Sequence, residues 1–244
     1  MIAAAPLLED RLGTARVWCS DRRHGNLGDH VGDDPAVVAH NRSELAASMG
    51  LGATGAGDPS RWVWLRQVHG ATVHVATDRA TDPAPGAPAP RADAVVTAVP
   101  GLPLAVVTAD CAPLVVACDD AVGVVHAGHR GLAAGVIEAA ISQLREIGTG
   151  EVRAFLGPCI RVECYEFGAA DLAPFVEQFG PGVRGLTRAG RPALDITAAI
   201  RVVLERERVV AFVDCGVCTA DSADHFSYRR RAESGRQATV AVLS

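Results

Sequence analysis

The succession of segments in this chain predicts a mixed α/β fold of the α+β class, folded as a single domain over residues 1–244. Short apolar runs and helical stretches follow one another without strict β-α alternation. This order favours mixed sheets covered by helices over a doubly wound parallel sheet. Hydrophobic residues make up 49% of the sequence, so a chain of this length can bury a substantial core.

The first half of the chain predicts one helix among several strands. Strands are expected at 17–20, 62–65, 72–75 and 92–97, and a helix at 36–49. Two aspartates and a proline at 33–35 are typical of a helix start, and the glycines at 50–52 stop the helix. Residues 81–90 are rich in Pro, Ala and Gly, which predicts an exposed loop.

The second half predicts more strands and three helices. Strands are expected at 104–108, 114–118, 122–126, 152–156, 209–213 and 238–243, and helices at 131–147, 170–179 and 196–206. A turn near residues 119–120 joins two of these strands. We expect the strands at 104–108 and 114–118 to pair with each other.

Composition narrows the expected compartment and partners. No apolar stretch reaches the roughly 18 residues needed to span a bilayer, and residues 1–10 lack the basic region of a signal peptide. Seven cysteines without a secretory context predict reduced thiols, so we expect a cytoplasmic protein. A net charge of −5 without a basic tail argues against nucleic acid or a membrane surface as a partner.

All 23 basic side chains are arginine, and lysine is absent. The chain therefore has neither a Schiff-base lysine nor the lysine of a Walker motif. An anionic substrate must be bound by arginine side chains, backbone amides or a metal.

Three short motifs, each closing an apolar run, are the most informative feature of the sequence. They are Gln67-Val68-His69, Ala109-Asp110-Cys111 and His126-Ala127-Gly128. The ends of buried strands are positions where a rigid scaffold holds chemical groups. Two imidazoles and one thiol would form a metal site with a fourth position free, as in catalytic zinc sites. His69, Cys111 and His126 are therefore the predicted metal ligands.

These residues also have simpler interpretations. A single His or Cys at the end of a buried strand is more often packed than bound to metal. In another alternative, Cys111 is a nucleophile and His126 its general base. A chelator separates the two chemistries, because only a zinc enzyme would lose its activity.

Further motifs accompany these three in a fixed order. The series is LRQVHG at 65–70, TADCAP at 108–113, VHAGHRG at 125–131, GPCI at 157–160, CYE at 164–166, CT at 218–219, FSYRR at 226–230 and GRQA at 235–238. From about residue 18 to the C-terminus, the chain resembles a bacterial family with several names. The family is called polyphenol oxidase or laccase-domain proteins, peptidoglycan editing factor, and purine nucleoside phosphorylase/adenosine deaminase.

The resemblance implies an α-β-β-α sandwich and a particular activity. It makes His69, Cys111 and His126 the ligands of zinc, and copper has also been proposed in the family. The implied reaction is phosphorolysis of adenosine, inosine and methylthioadenosine, with adenosine deamination as a side activity. The expected partners are a purine nucleoside and phosphate, and the sequence leaves monomer and homodimer equally open.

Other residues are candidates for catalysis or substrate binding. Asp110 would orient a ligand imidazole or transfer protons, and a turn aspartate is an equally good interpretation. Arg130 at a helix start and Arg229 after FSY are candidates for phosphate binding, with a solvated surface role as the alternative. Arg23 and Asn26 are further candidates for contacts to phosphate or ribose.

One position departs from the family pattern. The family usually has Trp where this chain has His129. A histidine is smaller than a tryptophan and is titratable. We therefore expect the wall beside the predicted metal site to differ in shape from that of the family.

Two further classes of function remain as alternatives. A copper-dependent polyphenol oxidase of the multicopper type needs many imidazoles, typically in H-x-H pairs, and this chain has 8 histidines and no such pair. A blue-copper centre favours an axial Met, but Met1 and Met49 lie far from the motifs. A peptidoglycan-precursor editing hydrolase using Cys111 and His126 is the other alternative, and nothing in the sequence indicates a peptide substrate.

Overall fold

The computed structural model describes residues 7–51, 56–78 and 88–244. Its strands are β1 Leu8–Leu12, β2 Ala15–Cys19, β3 Val63–Trp64, β4 Val73–Ala76, β5 Ala94–Thr97, β6 Leu104–Thr108, β7 Ala112–Ala117, β8 Val122–Ala127, β9 Arg153–Leu156, β10 Arg184–Leu186, β11 Pro192–Leu194, β12 Ala211–Asp214 and β13 Gln237–Leu243. Its helices are α1 Pro35–Ser48, α2 His129–Ala133, α3 Val136–Ile147, α4 Ala169–Phe179, α5 Ile196–Arg206 and α6 Tyr228–Arg231. The loop predicted at 81–90 lies outside the described residues except for 88–90.

Two mixed sheets form the centre of the molecule. The first has the strand order β1-β2-β13-β6-β3, and the second has the order β12-β9-β7-β8-β5-β4. The pairs β3–β6, β4–β5 and β9–β12 are parallel, while the other pairs in these two sheets are antiparallel. The predicted class, a mixed α/β fold with mixed sheets, is confirmed.

Side-chain alternation along the strands builds three apolar layers. In β2, Val17 joins the cluster between the two sheets, whereas Trp18 faces outward against α1. In β7, Val115 faces the same inner cluster, and Val116 faces helices α3, α4 and α5 on the other side. Strands covered on both faces read as continuous apolar runs. The result is the α-β-β-α layering that the family resemblance implies.

Helices α1 and α3 follow the expected local rules. Helix α1 begins where the Asp34 side chain accepts a hydrogen bond from the Ala36 backbone N–H, with Pro35 at the first position. Helix α3 buries a stripe spaced for one helical face, and it covers β4, β5, β7 and β8. The members of the stripe are Val136, Ile137, Ala140, Ile141 and Leu144.

The predicted pairing of strands 104–108 and 114–118 is wrong. The corresponding strands β6 and β7 belong to different sheets: β6 pairs with β3 and β13, and β7 pairs with β8 and β9. Asp110, at φ 93, lies in the short link between them, and this link crosses from one sheet to the other. Two fully buried apolar runs joined by a short turn look the same in sequence whether they form a hairpin or a sheet-to-sheet corner.

Several short elements were not predicted from the sequence. Strand β1, the hairpin β10–β11 and helix α6 are mostly exposed or only a few residues long, so no apolar periodicity marks them. The single helix predicted at 131–147 is two helices, α2 from His129 and α3 from Val136, because the backbone breaks at Gly135, which has a φ of 85°. Within the described residues, no helix combines the length and apolar composition needed to cross a bilayer.

Candidate metal and substrate site

The three predicted ligands converge at one end of the sandwich. The Nε2 atom of His69 lies 3.7 Å from the Sγ atom of Cys111, and the rings of His69 and His126 are 4.7 Å apart. One donor atom from each of the three residues lies within 4.8 Å of the others. His126 is buried, Cys111 is half-buried and His69 is exposed. The site is therefore open toward solvent on the His69 side.

A buried carboxylate, Asp93, organises two of these motifs. Strand β5 runs antiparallel to β8, which brings Asp93 beside His126, and its Oδ1 is 2.9 Å from the His126 Nδ1 atom. The same carboxylate accepts hydrogen bonds from the backbone N–H groups of Val68, His69 and Gly70. Burial alone would raise the pKa of Asp93, but these partners hold it below its usual value. With Nδ1 engaged, Nε2 of His126 is the nitrogen left for a metal.

The Q-V-H motif is held by its own glutamine. Gln67 donates from Nε2 to the Val107 carbonyl at 2.8 Å and accepts at Oε1 from the Val107 N–H at 2.9 Å. The side chain thus completes a two-bond bridge to β6 in place of a backbone pair. His69 follows at φ 59, a left-handed conformation that costs a non-glycine residue about 1–3 kcal/mol.

The glycine of the H-A-G motif leaves room for the ligands. A Cβ atom at Gly128 would lie 2.8 Å from the Cδ2 atom of His69 and 3.1 Å from the Sγ atom of Cys111. Both contacts are closer than packed carbon and sulfur atoms normally approach. A larger residue at this position would require the imidazole and the thiol beside it to shift.

The electrostatics of the metal-free cluster favour a thiolate. Burial would raise the pKa of Cys111, but the charges and hydrogen bonds of His126 and His69 lower it to about 6. Burial likewise opposes a charged His126, whereas Cys111 and Asp93 raise its pKa to about 9. The two groups titrate as a coupled pair. Thiolate is the form of cysteine that binds zinc or attacks an electrophile.

Asp110 makes contacts of a different kind. Its Oδ1 accepts a hydrogen bond from the Thr219 hydroxyl at 2.7 Å, and its Oδ2 accepts one from the Arg229 backbone N–H at 2.6 Å. The carboxylate that holds an imidazole is Asp93 instead. Asp110 ties the C-terminal segments to the cysteine motif, and its predicted part in proton transfer stays a prediction.

A cavity of about 250 Å³ opens at the three donor residues. Its lining includes Thr108, Tyr228 and Arg236. A neighbouring cavity of about 690 Å³ shares His30 and Gln67 with it. Together the two spaces have the size of a site for a small organic ligand.

Two groups in the wall of the smaller cavity have unused hydrogen-bonding capacity. The Thr108 side chain is buried, and its Oγ1 has no hydrogen-bond partner among the described residues. An unpaired buried hydroxyl costs about 1–3 kcal/mol, which a bound polar ligand would recover. Arg236 donates from Nη1 to the Ser234 carbonyl at 2.8 Å. Within the described residues, its Nε and Nη2 atoms have no hydrogen-bond partner on the protein.

The four predicted substrate ligands lie elsewhere in the fold. Arg23 pairs with Asp21 and has a side chain 45% exposed, and Arg130 is exposed at the start of α2. Arg229 donates from Nη1 to the Glu166 carbonyl at 2.7 Å. None of these arginines lines the 250 Å³ cavity in the part of the chain that is described. Their roles as substrate ligands stay predictions.

Asn26 has an indirect link to the site. Its Oδ1 accepts hydrogen bonds from the backbone N–H groups of Gly28 at 3.0 Å and Arg236 at 2.9 Å. The side chain thereby fixes the N-terminal loop against the segment that carries Arg236. In this structure Asn26 positions a residue of the cavity wall.

His129 belongs to an aromatic cluster beside the candidate metal ligands. Its Nδ1 atom lies 3.2 Å from the Tyr165 hydroxyl, and its ring meets Phe167 edge-on at 5.4 Å. Burial, followed by the charge of Arg130, lowers the pKa of His129. A neutral imidazole therefore occupies this wall.

The sequence reasoning missed Asp93, Thr108 and Arg236. An aspartate at the start of the apolar run 94–97 was a usable signal, because a buried carboxylate needs partners. Thr108 and Arg236 lie within the TADCAP and GRQA motifs, so the motif list was a signal for both. Nothing within those motifs distinguishes them from an ordinary strand residue and one arginine among many.

Comparisons with known proteins identify a family and support this fold. Residues 15–244 match the model of a family described as multi-copper polyphenol oxidoreductase laccase. The chain is 44% identical over 223 residues to a purine nucleoside phosphorylase of Streptomyces coelicolor, covering 89% of this chain and 87% of that protein. It is 41% identical over 224 residues to a purine nucleoside phosphorylase of Mycobacterium tuberculosis, covering 89% and 84%.

Solved structures give the same result. The protein NMB0706 of Neisseria meningitidis superposes with a TM-score of 0.83 at 28% identity, covering 98% of this chain and 100% of that chain. YlmD of Geobacillus stearothermophilus has a TM-score of 0.82 at 28% identity, with 97% and 98% covered. The resemblance inferred from the motifs is confirmed.

Proposed function

Because the chain belongs to the family described as multi-copper polyphenol oxidoreductase laccase, and relatives are named purine nucleoside phosphorylase, we propose that it is a zinc-dependent purine nucleoside phosphorylase. Its substrates would be adenosine, inosine and methylthioadenosine, with adenosine deamination as a second activity. The observation that carries the proposal is the convergence of His69, Cys111 and His126 at a cavity of small-molecule size.

The donor set fits zinc. Two imidazole nitrogens and a thiolate are preferred zinc ligands, and three protein ligands leave a fourth position for substrate. The hydrogen bond that His126 Nδ1–H donates to Asp93 supplies the outer support that such ligands require. When bound there, zinc would act as a Lewis acid that polarises an oxygen of the nucleophile or the substrate.

In phosphorolysis, an oxygen of inorganic phosphate forms a bond to the anomeric carbon as the bond from that carbon to the purine nitrogen breaks. The purine leaves with the electron pair, and the other product is ribose 1-phosphate or its methylthio form. We assign Arg236 to the phosphate, because it lines the cavity and its Nε and Nη2 atoms have no hydrogen-bond partner among the described residues. A charge-assisted hydrogen bond of this kind contributes about 1.5–3 kcal/mol.

The nucleoside would meet the uncharged part of the wall. Thr108 offers a buried hydroxyl without a partner, which suits a sugar hydroxyl or a purine heteroatom. Deamination in the same cavity requires water in place of phosphate, attacking the ring carbon that bears the amine, with ammonia leaving. Asp110 is the candidate group for moving protons in this reaction, and His126 could take that part only in the metal-independent alternative, because Asp93 and zinc would otherwise engage both of its nitrogens.

A direct assay tests the proposal. Purified protein with measured zinc content is incubated with adenosine, with and without phosphate, and adenine, ribose 1-phosphate and inosine are quantified. We expect adenine and ribose 1-phosphate only with phosphate, and loss of both in His69→Ala. The control His40→Ala changes an exposed histidine of α1 and should retain activity. Unchanged adenosine with a zinc-loaded protein would refute the proposal.

Copper-dependent phenol oxidation is the alternative carried by the family description. The site offers two imidazoles and one thiol, and Met49 packs in the outer cluster under α1, so it does not supply the weak axial ligand of a blue-copper centre. Met1 lies outside the described residues. Oxygen uptake with a phenol by the copper-loaded protein would favour this alternative.

A metal-independent thiol hydrolase, such as an editing enzyme for peptidoglycan precursors, is favoured by one observation. Cys111 has a lowered pKa beside His126, as expected for a nucleophile and its base. Complete removal of metal by a chelator discriminates between the two mechanisms. Activity that survives chelation would point to the thiol.

A further inference from the structure

A second group of metal-type donors lies outside the site described above. The thiols of Cys164 and Cys218 and the carboxylate of Asp221 have donor atoms within 4.8 Å of one another. The Sγ atom of Cys164 is 3.1 Å from the Oδ1 atom of Asp221. We propose that these three residues form a second, independent site for a thiophilic divalent cation of the zinc type.

The backbone holds the three residues in place. A hydrogen bond from the Ser222 N–H to the Cys218 carbonyl at 2.9 Å closes the turn that carries Cys218 and Asp221. Cys218 also forms a parallel bridge with Cys159. On the other side, the Cys164 N–H donates to the Arg161 carbonyl at 2.9 Å. The donors are therefore fixed by main-chain contacts that do not depend on a bound ion.

The distances suit a zinc ion. Zinc binds thiolate sulfur at about 2.3 Å and carboxylate oxygen at about 2.0–2.2 Å, so tetrahedral ligands lie about 3.5 Å apart. The 3.1 Å separation of Cys164 Sγ and Asp221 Oδ1 and the 4.8 Å limit on all three atoms need only small side-chain adjustments. On binding, both thiols release their protons to solvent, and the ion takes the lone pair of Asp221 that now accepts the Cys164 hydrogen.

Arg188 supports this assignment rather than blocking it. Its guanidinium contacts both oxygens of Asp221, each at 2.6 Å. A carboxylate oxygen accepts more than one hydrogen bond, and ligating carboxylates are commonly held by an outer partner of this type. Arg188 is 67% exposed along its side chain, so it can also withdraw at little cost.

An ion has a route to the site. Cys164, Arg188 and Asp221 line an open cavity of about 540 Å³, and a solvent molecule there could complete the coordination.

The site is also linked to the first one along the chain. Thr219, next to Cys218, donates its hydroxyl to Asp110, so a bound ion would stiffen the segment that meets the cysteine motif.

Metal content of the full-length protein tests the proposal without any activity assay. Protein purified without chelator is loaded with zinc and desalted, and its zinc content per chain is measured by inductively coupled plasma mass spectrometry. The Cys164→Ser/Cys218→Ser double variant should lose one zinc equivalent per chain, and Cys215→Ser, a matched nearby cysteine, should lose none. Equal zinc in wild type and double variant would overturn the proposal.

Cobalt gives an independent readout for the second site. In a Cys111→Ser background the first site has no thiolate, so a cobalt–thiolate charge-transfer band must come from Cys164 and Cys218. We expect that band, and its loss on adding the double substitution. Its absence in Cys111→Ser would contradict the proposal, as would a Cys164–Cys218 disulfide that persists with zinc present.

A milder variant covers the case in which the double variant fails to fold. Asp221→Asn removes the carboxylate ligand and should weaken zinc binding at this site by about tenfold or more. Asp224→Asn, an exposed neighbour in the same segment, should have no effect. Unchanged zinc affinity in folded Asp221→Asn would overturn the assignment of Asp221 as a ligand.

Discussion

The Oδ1 atom of Asp93 lies 2.9 Å from the Nδ1 atom of His126, and both side chains are buried. The same carboxylate accepts hydrogen bonds from the backbone N–H groups of Val68 and His69 in the Q-V-H motif. One residue thus sets the imidazole orientation of His126 and the backbone conformation at His69. The geometry of the donor cluster depends on a side chain that is not itself a ligand.

Replacing this carboxylate should weaken metal binding. Asp93→Asn keeps the size of the side chain but turns one acceptor oxygen into a donor facing N–H groups. We expect zinc affinity to fall by about 10- to 100-fold, measured by competition with a chromophoric chelator. Asp119→Asn, an exposed control, should bind zinc normally. Wild-type affinity in a folded Asp93→Asn protein would contradict the role assigned to Asp93.

The space at Gly128 should be equally critical. Gly128→Ala places a Cβ atom 2.8 Å from His69 and 3.1 Å from Cys111, so the ligands must move apart. Misplacement by about 1 Å costs on the order of 10²-fold in rate, and we expect that loss in kcat/KM with reduced zinc retention. Gly182→Ala, where a Cβ atom meets nothing within 4 Å, is the matched control. Equal activity in both variants would show that the ligands tolerate the added methyl group.

Most helices and strands could be predicted from the sequence, because buried segments have recognisable patterns of apolar residues. Runs such as 104–107 and 122–125 are apolar on both faces, and that pattern marks strands covered by layers on both sides. The pattern does not show which strands pair with each other. It therefore predicts that β6 pairs with β7, although the chain turns at Asp110 from one sheet to the other. Pairing is decided by contacts distant in the chain, such as β13 against β6.

The three candidate metal ligands were predictable as a group that converges, but their surroundings were less so. His69, Cys111 and His126 stand in short motifs at strand ends, which sequence displays directly. Arg236 reaches the cavity through the packing of its loop against Asn26, and no local pattern encodes that contact. A candidate metal ligand can be recognised from its residue type. A candidate substrate contact such as Arg236 depends on how loops distant in sequence pack together.

The lowered pKa of Cys111 predicts unusual reactivity in the metal-free protein. A thiol with a lowered pKa is deprotonated above that value and protonated below it, so alkylation by iodoacetamide should be half-maximal near pH 6 instead of about 8.5. Burial and Asp221 raise the pKa of Cys164 to about 12, so that thiol should react only in strong alkali. Peptide mapping after alkylation at different pH values measures both.

Removing the imidazolium partner tests the cause of this shift. His126→Gln should move the Cys111 midpoint upward, because the charge that stabilises the thiolate is lost. Zinc should protect Cys111 in the wild type. A midpoint that stays near 6 in His126→Gln would show that another group lowers the pKa.

Arg236 should separate the two proposed activities. Arg236→Gln removes the charge assigned to phosphate, so the KM for phosphate should rise by about 10- to 100-fold, the equivalent of about 1.5–3 kcal/mol. Deamination, which needs no phosphate, should keep its rate. Arg184→Gln, an exposed residue of β10, serves as the control. A parallel loss of both activities would indicate a rearranged loop and not a phosphate contact.

Thr108 and Thr97 form a matched pair for testing a substrate hydroxyl contact. Thr108→Val removes a buried hydroxyl without a partner, so the melting temperature should be unchanged or higher. If that hydroxyl binds the nucleoside, its KM should rise by about 2- to 10-fold. Thr97→Val instead removes a hydroxyl that donates to the Ala76 carbonyl at 2.7 Å. Here stability should fall by about 1–3 kcal/mol with unchanged kinetics. Equal destabilisation of the two variants, with an unchanged KM in Thr108→Val, would contradict this prediction. It would show that the Thr108 hydroxyl stabilises the fold and does not bind the substrate.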